Sequence, residues 1–239
     1  MTSTSTHSTN PTRTASTRPI ARRAARFALA LGVIAAPALV IPAVASADLP
    51  YAPPGIFTCE GRNATIVGTN GNDVIVGTSG DDVIVSLGGN DTISAGRGND
   101  VVCAGAGADT VVASSGDDVV RGGTGGDNLQ GGSGIDLLMG DGDGDLLDGE
   151  WGGDYLYGGD GSDWILGRQG VDEVYGGSGK DTLDIATDDD GAADDVHGGT
   201  DDDLIFADDG SVTPDDVRGD GGTDTCHADG VDLVLSCEL

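Results

Sequence analysis

Aromatic and positively charged side chains are scarce in this sequence. Aromatic residues make up 4% of its 239 residues, and 11 Lys and Arg stand against 41 Asp and Glu, for a formal net charge of -30. All 41 acidic residues follow Ala47, together with only six of the basic ones. Such a composition is typical of chains that bury too little apolar surface to fold unaided. The negative charge also argues against nucleic acid and anionic membranes as partners.

The residue patterns of common enzymes are also missing. The three histidines are His7, His197 and His227, and neither the His-Glu-x-x-His of zinc proteases nor the Gly-x-Ser-x-Gly of serine hydrolases occurs. The glycine-rich runs lack the Lys and the following helix of a phosphate-binding loop. We therefore predict that the chain is not an enzyme, and we interpret His197 and His227 as solvent-exposed.

The sequence does contain a nine-residue unit that repeats thirteen times without a gap from Gly68 to Asp184. Position eight is aliphatic in every copy, and position four is Gly in all copies but one, where Asp143 replaces it. Position six is Asp in every copy: Asp73, Asp82, Asp91, Asp100, Asp109, Asp118, Asp127, Asp136, Asp145, Asp154, Asp163, Asp172 and Asp181. Three position classes that stay in phase over 117 residues indicate a repeat protein, in which each unit buries its apolar residue against its neighbours.

Each unit combines the features of a short strand and of a turn. Its last three residues, such as Val74-Ile75-Val76, suit a strand whose middle side chain points inward. The six residues before them are rich in Gly, Asn, Asp and Ser and favour turns. Two units would then form one coil, and alternate units would stack as parallel strands roughly 4.8 Å apart. The sequence predicts an all-β chain, a parallel β-solenoid with two nonapeptide units per coil.

Stacking also places the position-six aspartates of alternate units near one another. At about 5 Å and an effective dielectric constant near 20, two carboxylates repel by roughly 3 kcal/mol, so a column of them needs a counterion. Carboxylates and turn carbonyls form a flexible cage of oxygen ligands, which suits Ca²⁺ better than Mg²⁺, and the turns offer no His or Cys for Zn²⁺. We predict that the thirteen aspartates bind multiple Ca²⁺ ions. The chain would be disordered without calcium and folded with it.

The pattern Gly-Gly-x-Gly-x-Asp-x-aliphatic-x resembles the RTX, or haemolysin-type, calcium-binding nonapeptide repeat, for example in Gly131–Met139 and Gly158–Leu166. The resemblance implies a right-handed parallel β-roll that holds Ca²⁺ between successive turns through Asp carboxylates and turn carbonyls. It covers residues 68–184 strongly and continues to Cys237 in degenerate form. Many family members attach the array to a protease, lipase or pore-forming domain, for which this sequence has no room.

Residues 1–47 have the pattern of a secretory signal peptide. Basic residues precede an apolar run over residues 27–44, which is followed by the small-residue site Ala45-Ser46-Ala47. We predict cleavage after Ala47, an extracellular location, and no membrane insertion of the mature chain. A membrane anchor is the alternative, which the two prolines and the brevity of the run disfavour. Arg22-Arg23 would fit a twin-arginine signal, but the general secretory route is favoured.

The remaining segments flank the array. We interpret residues 48–67 as a lead-in and N-terminal cap, which would cover the exposed edge of the first coil. Residues 185–239 are interpreted as degenerate repeats and a C-terminal cap. The phase slips after Asp184, but Asp-x-aliphatic triplets recur, as at Asp203 to Ile205. Terminal repeats of solenoids are often atypical in this way.

Four cysteines in a chain expected to be exported predict disulfides, and four cysteines allow three pairings. We favour Cys59–Cys103 and Cys226–Cys237, because each pair would fasten one end of the solenoid, where fraying begins. Cys226 occupies the inward position eight, so a buried thiol is the alternative for it.

Outward residues of alternate units form a partly aromatic stripe around Tyr155, Tyr157 and Tyr175. Ordinary cross-strand packing explains such a stripe, and the alternative is a docking patch for a surface polymer or for a second copy of the chain. We predict a secreted, non-catalytic calcium-binding protein. The alternatives are a calcium-dependent adhesin or cell-surface component, and a secretion or folding module related to RTX hydrolases.

Overall fold

The computed structural model describes residues 57–186, 192–208, 210 and 213–237. All regular structure in these ranges is β-strand, and no helix there is long and apolar enough to cross a membrane. The strands are β1 (Thr58–Cys59), β2 (Arg62–Asn63), β3 (Ile66–Val67), β4 (Val74–Val76), β5 (Val83–Val85), β6 (Thr92–Arg97), β7 (Val101–Ala106), β8 (Thr110–Ser115), β9 (Val119–Thr124), β10 (Asn128–Ser133), β11 (Leu137–Gly142), β12 (Leu146–Trp151), β13 (Tyr155–Asp160), β14 (Trp164–Leu166), β15 (Glu173–Ser178), β16 (Thr182–Asp184), β17 (Asp195–Thr200), β18 (Leu204–Ala207), β19 (Asp216–Gly221), β20 (Thr225–Ala228) and β21 (Leu233–Leu235). The signal peptide predicted for residues 1–47 lies outside the described residues, as does most of the lead-in.

From β3 onward, successive strands along the chain belong alternately to two parallel sheets. The even sheet contains the nine even-numbered strands from β4 to β20, and the odd sheet contains the ten odd-numbered strands from β3 to β21. Each strand pairs with the strand two units away, as Leu129 does with Leu147, so one coil contains eighteen residues. The predicted all-β parallel β-solenoid with two units per coil is confirmed.

A single file of aliphatic side chains from each sheet fills the interior. Ile84, Leu138 and Leu156, all at position eight, have no exposed surface. The residue at position eight is also buried in all the remaining units of the array. Position one also points inward, a feature that the sequence interpretation missed. Ala95, Ala104 and other position-one residues belong to the same core cluster. Each unit therefore contributes only two residues to the core, those at positions one and eight.

Most strands are longer than the predicted three residues. Strands such as β6 to β13 contain six residues, because the hydrogen-bonded ladder continues past the bend at position one. In β6 and β8, for example, Gly96 pairs with Ser114 and Arg97 with Ser115. The first part of each turn is thus held to the next coil by backbone pairing.

The described part of the N-terminal segment, residues 57–67, contains an edge strand and a hairpin. Strand β3 forms the edge of the odd sheet, where Ile66 pairs with Ile84. The antiparallel hairpin β1–β2 packs on the outer face of that sheet, where Cys59 is buried with Val85 and Val101. Because the valines of this face are apolar, the hairpin covers surface that would otherwise face water.

Both favoured disulfides are present. Cys59 and Cys103 join the hairpin to β7, and Cys226 and Cys237 close the C-terminal end. Cys226 is therefore not a free thiol. Strands β17 to β21 continue the two sheets in register beyond residue 184, so the degenerate repeats belong to the same solenoid.

Candidate metal sites

The position-six aspartates stack in two columns, one immediately before the strands of each sheet. The even column contains Asp73, Asp91, Asp109, Asp127, Asp145, Asp163, Asp181, Asp203 and Asp224. The odd column contains Asp82, Asp100, Asp118, Asp136, Asp154, Asp172, Asp194, Asp215 and Asp232. All thirteen residues named from the sequence lie in these columns. The columns also contain five aspartates that were not among the thirteen predicted ligands: Asp194, Asp203, Asp215, Asp224 and Asp232.

The extra members follow insertions that break the period. Within the array the stacked aspartates are 18 residues apart, whereas Asp172 and Asp194 are separated by 22 residues and Asp194 and Asp215 by 21. Their sequence signal is the Asp-x-aliphatic triplet, which survives the insertions, as at Asp203. A search for this triplet without a fixed period finds four of the five, whereas Asp224 has Cys226 in place of the aliphatic residue.

One carboxylate oxygen of each aspartate after the first in its column is held by the coil before it. The backbone amide of each column member donates to Oδ1 of the next, with distances of 2.7 to 3.2 Å along both columns. This repeated bond orients the carboxylates and satisfies an amide that would otherwise be orphaned.

The other carboxylate oxygen is buried and, within the described residues, has no hydrogen-bond partner in most members of the columns. These are Oδ2 of Asp91, Asp100, Asp109, Asp118, Asp127, Asp136, Asp145, Asp154, Asp163, Asp181, Asp203 and Asp224. A buried anionic oxygen without a donor costs several times the free energy of an ordinary hydrogen bond. Such a regular series therefore points to a cation that satisfies it.

The electrostatics of the columns lead to the same conclusion. Burial raises the pKa of Asp154 to about 8 and that of Asp136 to about 7, although the backbone amide bonded to each carboxylate lowers it in part. Burial also raises the pKa of Asp203 to about 6, and the charge of the stacked Asp224 adds to the increase. Without a counterion the columns would hold protons near neutral pH.

Backbone carbonyls meet these free oxygens in small spaces beside position one. A Cβ atom added to Gly131 would lie 2.5 Å from Oδ2 of Asp136 and 3.0 Å from the carbonyl oxygen of Gly149 in the next coil. We call such a space a cradle: it is left open by a glycine and bordered by one carbonyl oxygen and by one Oδ2 that has no donor in the described residues. Seven cradles occur in the described residues, beside Gly122, Gly131, Gly140, Gly149, Gly158, Gly176 and Gly198.

The turn that forms a cradle needs positive φ angles at positions two and four. Gly132 and Gly134 supply them with φ of 109° and 136°, and in the following odd-sheet unit Glu150 and Gly152 do so with 69° and 144°. Glycine adopts this region without a steric cost, which explains the Gly-rich pattern. A non-glycine residue here is strained.

The donor set fits calcium. No group of three or more His, Cys, Asp or Glu side chains converges in the described part of the chain, so each carboxylate would be combined with backbone carbonyls. Carboxylate and carbonyl oxygens without nitrogen or sulfur are the ligands that Ca²⁺ uses in flexible sites. The unpartnered Oδ2 atoms and the cradles show that the residues present can hold such an ion.

Asp73 and Asp82, the first members of the two columns, are arranged differently. Oδ2 of Asp73 accepts hydrogen bonds from the amide of Thr69 at 2.6 Å and from its hydroxyl at 3.0 Å. Thr78 makes the same two bonds to Asp82, at 2.6 and 2.8 Å. These two carboxylates therefore have protein donors to Oδ2, unlike the twelve carboxylates whose Oδ2 has no donor in the described residues.

The aromatic stripe is a stack across the odd sheet. The ring centroids of Tyr157 and Tyr175 are 5.1 Å apart, those of Tyr175 and His197 are 4.7 Å apart, and both pairs are nearly parallel. His197 is also held by Asp220, whose Oδ2 lies 2.8 Å from Nδ1. The expectation of an exposed His197 is wrong, because its neighbours leave 15% of the side chain accessible. His227 is exposed as predicted and stacks on Phe206.

Comparison with known families agrees with this geometry. Residues 67–183 match the family model of the RTX calcium-binding nonapeptide repeat, in the overlapping segments 67–102, 96–129, 104–138, 121–156 and 148–183. No curated protein matches the chain.

Proposed function

Since residues 67–183 are RTX calcium-binding nonapeptide repeats, we propose that this calcium-binding repeat protein is exported, is not catalytic, and completes its folding when calcium binds. The observation that carries the proposal is the series of buried Oδ2 atoms, of which that of Asp136 is one, without a donor in the described residues. Folding buries these carboxylates, and calcium supplies the charge that makes their burial favourable.

The residues that would hold the ions act as pairs from successive coils. Asp136 contributes its carboxylate, its Oδ1 being kept in place by the amide of Asp118, and Gly149 contributes a carbonyl from the next coil. Each ion held in this way would join two coils that are eighteen residues apart in sequence. Binding energy therefore becomes folding energy in a chain with a thin core.

The proposed extracellular location rests on two features of the chain. The predicted signal peptide lies outside the described residues, and the disulfides Cys59–Cys103 and Cys226–Cys237 suit an oxidising compartment. Detection of the chain beginning at Asp48 in culture medium would test both the cleavage after Ala47 and the export.

A calcium titration of the mature chain tests the folding role. We expect far-UV circular dichroism to show a cooperative gain of β structure with Ca²⁺ and not with Mg²⁺ at the same ionic strength. Identical spectra in chelator and in calcium, together with no heat of binding by calorimetry, would overturn the proposal. The magnesium arm separates specific binding from screening of the negative charge.

A further inference from the structure

We propose that a groove on the outer face of the odd sheet is the docking site of the chain's own entry segment, by which we mean residues 48–56. The groove has a volume of about 750 Å³, and Met139, Asp141 and Tyr157 are among the residues that line it. None of the position-six aspartates lines this groove, so the proposal stands or falls separately from calcium binding.

The groove lies in the same row of outward side chains as the surface under hairpin β1–β2. The residues at position nine of successive odd-sheet strands pair directly with one another. They run in the order Val85, Cys103, Arg121, Met139, Tyr157 and Tyr175. The groove is therefore the continuation of a surface on which another part of the N-terminal segment already packs.

The hairpin covers only the first part of this row. Val85 beneath it is 8% exposed, whereas Val76, at the same position nine on the even sheet, is 54% exposed. The cover ends at Arg121, whose Nη1 lies 3.3 Å from Oε1 of Glu60 in the hairpin turn. The next residue of the row, Met139, is half-buried, and no segment covers it within the described residues.

The entry segment is long enough to reach the groove. Strand β1 lies over β5 and β7, and the nine residues 48–56 directly precede Phe57, the residue before this strand. Nine extended residues span about 28 Å, at roughly 3.1 Å per residue. Tyr157 on β13 lies four strand spacings from β5, or about 19 Å. The remaining length allows a turn, for which Pro54-Gly55 has a suitable sequence.

The sequence of the entry segment suits a groove with an aromatic wall. Pro50-Tyr51-Ala52-Pro53 is a Pro-x-x-Pro sequence, and such sequences favour polyproline II and dock in grooves lined by aromatic side chains. Polyproline II needs no backbone hydrogen bonds to a neighbouring strand. This property matters here, because β13 is already paired with β11 on one side and with β15 on the other.

Two tyrosine hydroxyl groups are available to such a segment. Those of Tyr155 and Tyr157 have no hydrogen-bond partner in the part of the chain that the structure describes, whereas the hydroxyl of Tyr175 donates to Glu173 at 2.9 Å. A polyproline II segment leaves its carbonyl oxygens open to such donors. The rings would supply apolar contact area to the prolines at the same time.

The charge of the entry segment also fits the groove. Asp160 lines the groove and is exposed, and the sequence between Asp48 and Glu60 contains no acidic residue that it would repel. Cleavage after Ala47 creates an amino group on Asp48, which is mostly protonated at neutral pH. This positive charge lies at the end of the segment that reaches farthest. Its attraction to the acidic border therefore begins only after cleavage.

Photo-cross-linking of the oxidised mature chain in calcium tests the location. With Tyr51→benzoylphenylalanine we expect cross-links to peptides from residues 137–160. Adding Pro50→Ala/Pro53→Ala should lower their yield about tenfold or more, and the matched control Ala52→Ser, which keeps both prolines, should not. Cross-links elsewhere, or an equal yield without the prolines, would overturn the proposal. So would cross-links between two differently labelled copies, which would assign the groove to a second chain.

Removal of the segment tests the groove from the other side. A chain that begins at Gly55 keeps the hairpin and should leave Tyr155 and Tyr157 about tenfold more reactive toward tetranitromethane. Tyr175, whose hydroxyl already has a partner, is the internal reference. A peptide of residues 48–56 added in excess should restore the protection. Unchanged reactivity would overturn the proposal and leave the groove to an external ligand. Circular dichroism in calcium, measured on the same chain, reports separately on the proposed function.

Discussion

The backbone amide of Asp118 donates a 2.9 Å hydrogen bond to Oδ1 of Asp136 and leaves Oδ2 of Asp136 buried, with no donor in the part of the chain that the structure describes. The same half-satisfied carboxylate recurs from coil to coil. Because one oxygen is fixed by a backbone amide and the other has no donor in the described residues, the folded column presents an ordered array of oxygen ligands.

Asp136→Asn should remove one calcium ion and raise the calcium concentration at the midpoint of folding severalfold. The amide keeps the shape of the side chain but loses the charge that attracts the cation. In chelator the same variant should be no less folded than the parent, because a buried charge has been removed. Calorimetry and circular dichroism measure the two effects. Asp160→Asn, an exposed site, removes the same charge and should change neither.

Acid should stabilise the calcium-free fold. Folded-state pKa values of about 8 for Asp154 and about 7 for Asp136 lie above the ordinary 3.8. The folded chain therefore binds these protons more tightly, and their contribution is complete below the unfolded pKa and is lost as pH rises through the folded values. In chelator we expect more β structure at about pH 5 than at about pH 9. An increase in β structure with pH would contradict the burial of these groups.

Calcium binding should show the opposite pH dependence. Protons compete with the ion for the same oxygens, so the calcium concentration at half-folding should rise as pH falls from about 8 to about 5. A midpoint that is independent of pH would mean that the ion is not bound by these carboxylates.

Leu156→Ala should lower the free energy of unfolding in saturating calcium by about 2–5 kcal/mol. Leu156 is fully buried, and the core beside it is too thin to collapse into the cavity. Urea denaturation measures the loss. The control is Val171→Ala. The side chain of Val171 is 64% exposed, so this substitution should lower the free energy of unfolding only slightly. Equal losses for the two variants would contradict the inward orientation of position eight.

The two disulfides should contribute unequally. Cys59–Cys103 closes 44 residues and Cys226–Cys237 closes 11, so chain entropy gives about 4 and about 3 kcal/mol, respectively. Paired Cys→Ser variants compared by urea denaturation in calcium measure the difference. The larger loss should come from the N-terminal pair, because it closes the longer loop. A larger loss from the C-terminal pair would argue against this ranking.

Tyr175→Ser should lower the free energy of unfolding by about 0.5–1.5 kcal/mol for each ring contact that it removes. Tyr175 lies between Tyr157 and His197, so two contacts are lost. Thermal unfolding in calcium measures the effect. The docking role of the stripe stays a prediction: self-association or polymer binding that is lost in Tyr155→Ser/Tyr157→Ser would support it, and unchanged binding would remove it.

Much of this molecule was determined by its sequence. The strict nine-residue period places Ile84 and its equivalents always at position eight. This pattern predicts a solenoid in which each unit stacks on the unit two positions further along the chain. The same period requires the aspartates to form columns. Local chemistry repeated in phase was therefore enough to predict the solenoid and the type of ligand.

Tertiary structure decided which carboxylates are free. Whether Oδ2 has a donor depends on the conformation of its turn and on atoms in the next coil, as the contrast between Asp82, closed by Thr78, and Asp136 shows. The inward orientation of position one, the hairpin on the outer face of the odd sheet and the stacking of His197 also depend on contacts between distant residues. A periodic sequence makes all units look alike, and only the packing between coils distinguishes them.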